Sequence, residues 1–280
     1  MPDFKQLIDE ALEKRLNEEH IGNSLVADAM RYAILNGGKR VRPQLLVRFL
    51  YDLTDDYHAG ILAALALEMV HTYSLVHDDL PAMDNDDYRR NQLTVHKKFS
   101  EDIAILAGDG LLTEAFVALA EGNYPSKVAG ILSDHAGVKG MIYGQELDLK
   151  LEDKEISLEQ LKEIHRYKTG KLLSAPLMMA CVIADKEEYL KDAEEIGMMY
   201  GLAFQIQDDI LDVTKNLKKE GEESSDLKNH KNTYVKYMSV EEAKQQVKDL
   251  YDKILDKLNA LPLKHETTVA FLESLFDRDI

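Results

Sequence analysis

Wherever this 280-residue chain carries apolar residues it repeats them at helical spacing, and no run alternates with period two for long. A half-buried sheet needs that alternation, so the pattern directs the chain into an all-α fold. Glycine (15) and proline (6) are scarce enough to leave long segments unbroken. The opening helix starts after Pro2-Asp3. A second starts near Ser24 and ends at Asn36-Gly37-Gly38, where glycine supplies the left-handed position beyond a helix end. Pro43 opens the next, at a place where its missing N–H costs nothing. Long apolar helices are expected over 59–79 and 101–120, the latter closed by Gly122-Asn123-Tyr124-Pro125. Others cover about 127–149, 157–183, 187–211 and 240–260. Ser157-Leu158-Glu159-Gln160 and Ser239-Val240-Glu241-Glu242 match the capping box, which marks two of these starts. Only 215–232, dense in charge with Leu217 and Leu227 as its apolar residues, reads as a long mobile loop. With no repeat, low-complexity tract or interdomain linker, a single domain over 1–280 is expected.

Charge narrows the partners. Fifty-one acidic against 34 basic side chains give a formal charge of -17, which repels nucleic acid and anionic lipid at long range. One cysteine, Cys181, cannot form an internal disulfide, so a reducing, cytoplasmic setting fits. The charged, helical N-terminus has no apolar signal core. The apolar run 60–76 carries Glu68 and His71 and falls short of the ~20 residues of a bilayer span, so it reads as a buried core helix without membrane insertion.

Three constellations carry chemistry. Asp78-Asp79-Leu80-Pro81-Ala82-Met83-Asp84 lies where the central helix runs out. Pro81 forbids a regular continuation, so Asp84 can turn back towards Asp78. Carboxylates around one cleft are hard oxygen ligands suited to Mg²⁺ shared with a substrate phosphate. A solvated acidic helix end is the competing reading, and the negative end of the helix dipole makes it awkward without a cation. Gln207-Asp208-Asp209-Ile210-Leu211-Asp212 ends a second apolar helix, with Asp208 and Asp212 four apart on one face. Facing clusters on two helices of a bundle would put Mg²⁺ between them, ready for a diphosphate. The third is basic: Gly38-Lys39-Arg40-Val41-Arg42-Pro43 and Tyr88-Arg89-Arg90-Asn91 make an anion site or, taken singly, ordinary solvated caps. His71, Ser74 and Asp78 stand at i, i+3 and i+7, a stripe on which His71 is either a packed core residue or a phosphate donor.

GGKRVRP, HTYSLVHDDLPAMDNDDYRR, LAGDGLL, GQELDL, YKTGKLL and FQIQDDILD stand in one order and spacing. This order resembles that of the trans-polyprenyl diphosphate synthases. The likeness runs from about Ser24 to Tyr234, with a weaker echo at Arg278-Asp279, and the inserted Pro81-Ala82 resembles the bacterial farnesyl diphosphate synthases. It implies a helical bundle around a deep central cavity. It also implies an Mg-dependent prenyl transfer joining isopentenyl diphosphate to dimethylallyl or geranyl diphosphate. By that resemblance Asp78 and Asp84 would hold two Mg²⁺ ions and Asp208 a third, with Asp79, Asp209 and Asp212 acting partly through water. Arg89 and Lys168 would grip the allylic diphosphate; Lys39, Arg42, His71 and Arg90 would bind isopentenyl diphosphate. Thr169 and Gln205 would line the carbon where the C–O bond breaks, and Asp148 would sit at the cavity wall. Family members are usually homodimers packed through central helices, and the apolar 101–120 helix offers such a face.

Chain length turns on Tyr73, five residues before Asp78 and about 7.5 Å down the helix, with Ser74 beside it. A ring there would floor the growing tail, and the resemblance to the bacterial enzymes, where an aromatic at this place goes with a fifteen-carbon product, implies that length unless Tyr73 simply packs in the core. One departure stands out. Where the family carries Gly-Lys after the second acidic motif this chain has Gly221-Glu222, with Lys218 and Lys219 close by to substitute. A geranylgeranyl synthase is the alternative within the class. Outside it stand a catalytically silent regulatory subunit and an acidic cation-binding scaffold. The scaffold leaves the ordered basic motifs unexplained.

Overall fold

The computed structural model describes residues 2–152, 154–218 and 233–276. Among the described residues the chain is all-α apart from one short hairpin, and it divides into two units, Met1–Gly130 and Ile131–Ile280.

In the first unit, α1 (Phe4–Arg15) begins where the Asp3 carboxylate accepts the Gln6 N–H at 3.0 Å. A short α2 (Glu18–Ile21) follows, then α3 (Leu25–Leu35), capped by Ser24, and α4 (Val41–Thr54). Pro43 is the third residue of α4, still within the first turn, where no N–H is needed. The centre of the unit is α5 (Ile61–Asp78), buried on nearly all sides as a helix apolar all round must be. It packs against α1, α3, α4 and most extensively α7 (Glu101–Glu121). Small side chains let α5 and α7 approach: the His77 ring occupies the space a Cβ on Gly108 would need, and its Nε2 lies 3.0 Å from the Ile105 carbonyl oxygen. Between them run the hairpin β1 (Tyr88–Arg89) and β2 (Gln92–Leu93) and the short α6 (Val95–Lys98).

The division between units falls within α8 (Ser126–Ala136). The second unit contains α9 (Met141–Leu151), α10 (Leu158–His165), a π-helical turn over Arg166–Gly170, α11 (Lys171–Ile183) and the 29-residue α12 (Leu190–Lys218). Two further helices follow, α13 (Val240–Asn259) and α14 (Thr267–Phe276). Helix α12 packs on α11, the π-turn and α13. Both capping boxes form, Ser157 with Gln160 and Ser239 with Glu242. Burial pushes the Cys181 thiol up to about 12, so the sole cysteine is a packed core group.

Local structure departs from the sequence expectations at several points. The helix expected over 127–149 is two helices, α8 and α9, because Gly137 to Gly140 interrupts it. The helix expected to end at 211 runs through Lys218, so the first four residues of the expected loop are helical. The remaining loop residues, with Lys219, Gly221 and Glu222, and Arg278-Asp279 lie outside the described residues. By length and composition His58–Asp78 and Glu101–Glu121 could each cross a membrane. The first is 67% buried in its apolar window and is the core helix expected of it. The second is 39% buried and exposes Ile105, Leu106, Phe116 and Val117 along one face.

Candidate active site

The first acidic motif folds back on itself as Pro81 requires. After α5 ends, the Leu80 N–H donates to the His77 carbonyl at 3.2 Å and the Asn85 N–H to the Leu80 carbonyl at 3.1 Å. The Asp84 N–H donates to the Asp78 carbonyl at 2.9 Å, which returns Asp84 to Asp78 by a backbone bond. The backbone thus brings Asp84 back beside Asp78 at a helix C-terminus, where the dipole favours a cation. Among the described residues no three His, Cys, Asp or Glu side chains gather into a preformed cage. That donor set fits magnesium, which takes one or two carboxylates and completes its shell with water and substrate phosphate.

Asp79 is engaged by the hairpin that follows. It is 3% exposed, and its Oδ1 accepts from Arg89 Nε at 2.7 Å and lies 2.6 Å from Arg89 Nη2. Burial pushes the Asp79 carboxyl up, against the opposing pull of Arg89. The pair ties the hairpin to the end of α5. The hairpin itself turns on Arg90 and Asn91, both at positive φ (55° and 63°), the backbone that a two-residue turn between antiparallel strands demands. Thr94, 2% exposed, closes it by donating from Oγ1 to the Asp86 carbonyl at 2.8 Å.

That turn aims Arg90 at the glycines after α3. Its Nη1 donates to the Gly37 carbonyl, and its guanidinium stands 2.9 Å from where a Cβ on Gly38 would be. Gly38, at φ +125°, therefore has two reasons to be glycine. Lys39 is exposed, while Arg40 is buried and left-handed at φ 51°. His71 on α5 is held well below the ordinary imidazole range, first by burial and then by the field of Arg42, Arg90, Arg89 and Arg40. A neutral His71 offers an N–H to an anion and adds no charge. The structure thus brings His71, Arg42, Arg89 and Arg90 into one electropositive neighbourhood. Beside it Thr72, Asp79, Arg89 and Arg90 line a cavity of about 30 Å³, room for about one water. Ser74 Oγ donates to the His71 carbonyl at 2.8 Å, an i−3 bond within its own helix. Tyr73 is buried with its ring edge-on to His77, centroids 5.8 Å apart.

In the second unit, Lys168 and Thr169 sit on the π-turn, a feature often found at functional sites. Gly144 of α9 lies so near that a Cβ there would be 2.0 Å from the Lys168 nitrogen. This contact brings Asp148, one turn further along α9, to Lys168: Nζ and Oδ2 are 2.5 Å apart. On the far side Gly170 meets Gly201 of α12, whose missing Cβ would be 2.5 Å from the Gly170 Cα. Gln205 lies one turn beyond Gly201, so Thr169 and Gln205 stand on neighbouring, closely packed elements.

The second acidic motif is partly structural. Gln207 Nε2 donates to the Phe276 carbonyl at 3.2 Å, tying α14 to α12. Asp209, 9% exposed, accepts the Tyr234 N–H at 2.6 Å on Oδ2. Asp208 is half-buried on the same helix, and Asp212 falls within the described backbone of α12.

Sequence reasoning named Arg40 in the basic motif and Glu68 in the apolar run but gave neither a role of its own, and it passed over Asp9. Arg40 donates from Nε to Asp9 Oδ1 at 2.8 Å, from Nη1 to Glu68 Oε1 at 2.8 Å and from Nη2 to the Ile34 carbonyl at 2.7 Å. A lone acid inside the apolar run 60–76 was the available signal, because a buried carboxylate requires a cationic partner. Gly144 gave no comparable signal, since close approach depends on a neighbour distant in sequence.

The polyprenyl synthetase family model matches residues 23–268. The chain is similar to a protein named farnesyl diphosphate synthase from Micrococcus luteus, 41% identical over 283 residues that cover 99% of this chain and 96% of that one. It is 36% identical over 289 residues to a geranylgeranyl diphosphate synthase of Cyanophora paradoxa, covering 98% and 94% of the two chains. A crystal structure of the geranyltransferase from Helicobacter pylori, complexed with magnesium and isoprenyl diphosphate, superposes with a TM-score of 0.84 at 35% identity over 99% of both chains. With the ordered motifs, the returned aspartate turn and full-length similarity in hand, the chain belongs to the polyprenyl synthetase family.

Proposed function

We propose that this protein is a magnesium-dependent prenyltransferase that condenses isopentenyl diphosphate with dimethylallyl and geranyl diphosphates. The products are (2E,6E)-farnesyl diphosphate and diphosphate. The observation that carries this reading is the Asp84-to-Asp78 turn beside the arginine neighbourhood of His71. The two units would work as one synthase domain over 1–280, as the family match across both supports.

Asp78, Asp84 and Asp208 would hold magnesium, three ions with substrate bound, with Asp79, Asp209 and Asp212 acting partly through water. When bound, magnesium supplies positive charge to the departing diphosphate. Arg89 and Lys168 would orient the allylic diphosphate, and Lys168 would exchange its Asp148 partner for phosphate oxygen. Lys39, Arg42 and Arg90 would hold isopentenyl diphosphate, with neutral His71 as an N–H donor. Breaking the allylic C–O bond would leave a carbocation beside Thr169 and Gln205, where exclusion of water would keep it from being trapped. The isopentenyl double bond then attacks that carbon, and the departed diphosphate takes the proton lost from the adduct.

Exposed Ile105, Leu106, Phe116 and Val117 on α7 support a homodimer closed by a second copy of this helix, which sedimentation of the purified protein checks. The lone buried cysteine and the acidic charge suit a cytoplasmic enzyme.

Product analysis tests the whole. Purified protein with dimethylallyl or geranyl primer, isopentenyl diphosphate and Mg²⁺ is expected to yield a fifteen-carbon product, and none once the metal is chelated. Full-length similarity to geranylgeranyl synthases favours a twenty-carbon product as the second reading. No turnover at all would point to a regulatory subunit, the reading to which Glu222 contributes.

A further inference from the structure

We infer that Glu68 is a positioning residue for the isopentenyl diphosphate half of the site: through Arg40 it fixes the loop carrying Lys39 and Arg42 against the turn of α5 that carries His71. This inference rests on the function proposed above.

The loop is intrinsically unfavourable. Gly37 and Gly38 have φ +85° and +125°, and Arg40, with a Cβ, stands at φ 51° in the left-handed region. A non-glycine residue holds that backbone only where its surroundings over-determine it. Arg40 is 3% exposed, and its fork is divided among three partners from three separate segments: Asp9 of α1, Glu68 of α5 and the Ile34 carbonyl of α3. Each of the three guanidinium nitrogens already holds a protein partner and the side chain is withdrawn from solvent, so Arg40 serves structure and not substrate.

Its work is on its neighbours. The Lys39 carbonyl accepts from Gln44 Nε2 at 2.8 Å, and the Arg40 carbonyl accepts the Gln44 N–H at 3.0 Å, so the residues flanking Arg40 are pinned together with it. Val41 then starts α4, which sets the direction of Arg42. On the other side Glu68 is 2% exposed and precedes His71 by three residues, one helical turn on the same face. One ion pair therefore references the Lys39 and Arg42 loop to the His71 turn. Asp9 assists from a more exposed place, its side chain 34% exposed and shared with Lys5. Glu68 is thus the partner that burial makes difficult to replace. Its charge also tempers a crowded neighbourhood, because Arg40, Arg42, Arg89 and Arg90 all act on His71.

The test is steady-state kinetics of Glu68→Gln with both substrates varied. The Michaelis constant for isopentenyl diphosphate is expected to rise about tenfold, the size of one displaced charge-assisted hydrogen bond. The constant for geranyl diphosphate is expected to stay within about twofold, since a residue that served stability alone would move neither constant selectively. If Glu68→Gln does not fold, the paired replacement Arg40→Met with Glu68→Leu removes the ion pair without stranding a buried charge, and the same selective rise is expected. Constants that rise together, or an unchanged constant for isopentenyl diphosphate in a folded variant, overturn the inference. Wild-type protein that does not turn over the two diphosphates overturns the proposed function, and this inference with it.

Discussion

Gly144→Ala is the perturbation whose size follows most directly from the structure. An alanine Cβ at that site would lie 2.0 Å from the Lys168 nitrogen, 2.5 Å from its Cα and 2.5 Å from the Tyr167 carbonyl carbon. All three are backbone atoms, so no side chain can rotate aside. Restoring ordinary van der Waals contact near 3.4 Å requires α9 and the π-turn to part by about 1.4 Å. Overpacking of this kind costs about 1–3 kcal/mol, and for a chain of this order each kcal/mol lowers Tm by about 2–4 °C. The kinetic effect is larger, because the moved segment carries Lys168 and Thr169, and a displacement of about 1 Å can cost on the order of 100-fold in rate. Gly130→Ala is the matched control: it lies in α8, and a Cβ there meets nothing within 4 Å. Ordinary helix propensity applies to it, and a gain of about 1 kcal/mol is expected. Thermal melts and kcat with geranyl diphosphate on both variants decide the matter. Gly144→Ala with wild-type melting and turnover, or the two variants behaving alike, would refute the reasoning.

Two further predictions concern other residues. Tyr73→Ala removes a buried ring from α5 and is expected to lengthen the product distribution beyond fifteen carbons; chromatography showing an unchanged product would mean that Tyr73 is core packing and nothing more. His165, stacked on Tyr234 with centroids 5.5 Å apart, has its pKa lowered to about 4 by burial, so between the unfolded value of 6.5 and about 4 the unfolded chain takes up a proton that the folded chain refuses. Its contribution is complete above pH 6.5 and is lost as pH falls through that window, by up to about 3 kcal/mol. His165→Phe keeps the stacking and removes the titration, so its denaturant-derived stability should fall less steeply from pH 7 to 4.5; parallel curves would contradict this.

Much of the candidate site was legible because its logic is local. Pro81 cannot continue a helix, and from that alone Asp84 was expected to return to Asp78, as the 2.9 Å backbone bond shows. The two capping boxes and the glycine after α3 belong to the same kind of inference, four or five consecutive residues satisfying one another's backbone. The hairpin was missed because each strand has two residues, too few for a period of two to register, and Arg90-Asn91 is not a customary hairpin turn. The break between α8 and α9 was passed over because the apolar spacing continues across Gly137 to Gly140.

The period of the apolar residues determined, by itself, the fold class, and the order of the charged motifs determined the family likeness. Those properties rest on residue type and helical period, and both are written in the sequence. Only the tertiary structure decided which partners the charges take. It pairs Asp79 with Arg89, Asp148 with Lys168 and Arg40 with Glu68, and it sets Asp209 on the Tyr234 backbone. Arg40 and Arg42 stand two residues apart in one basic motif and both lend their field to His71, yet Arg40 is held between Asp9 and Glu68. An ion pair depends on distance and burial, and those are set by helices brought together from far apart in the chain.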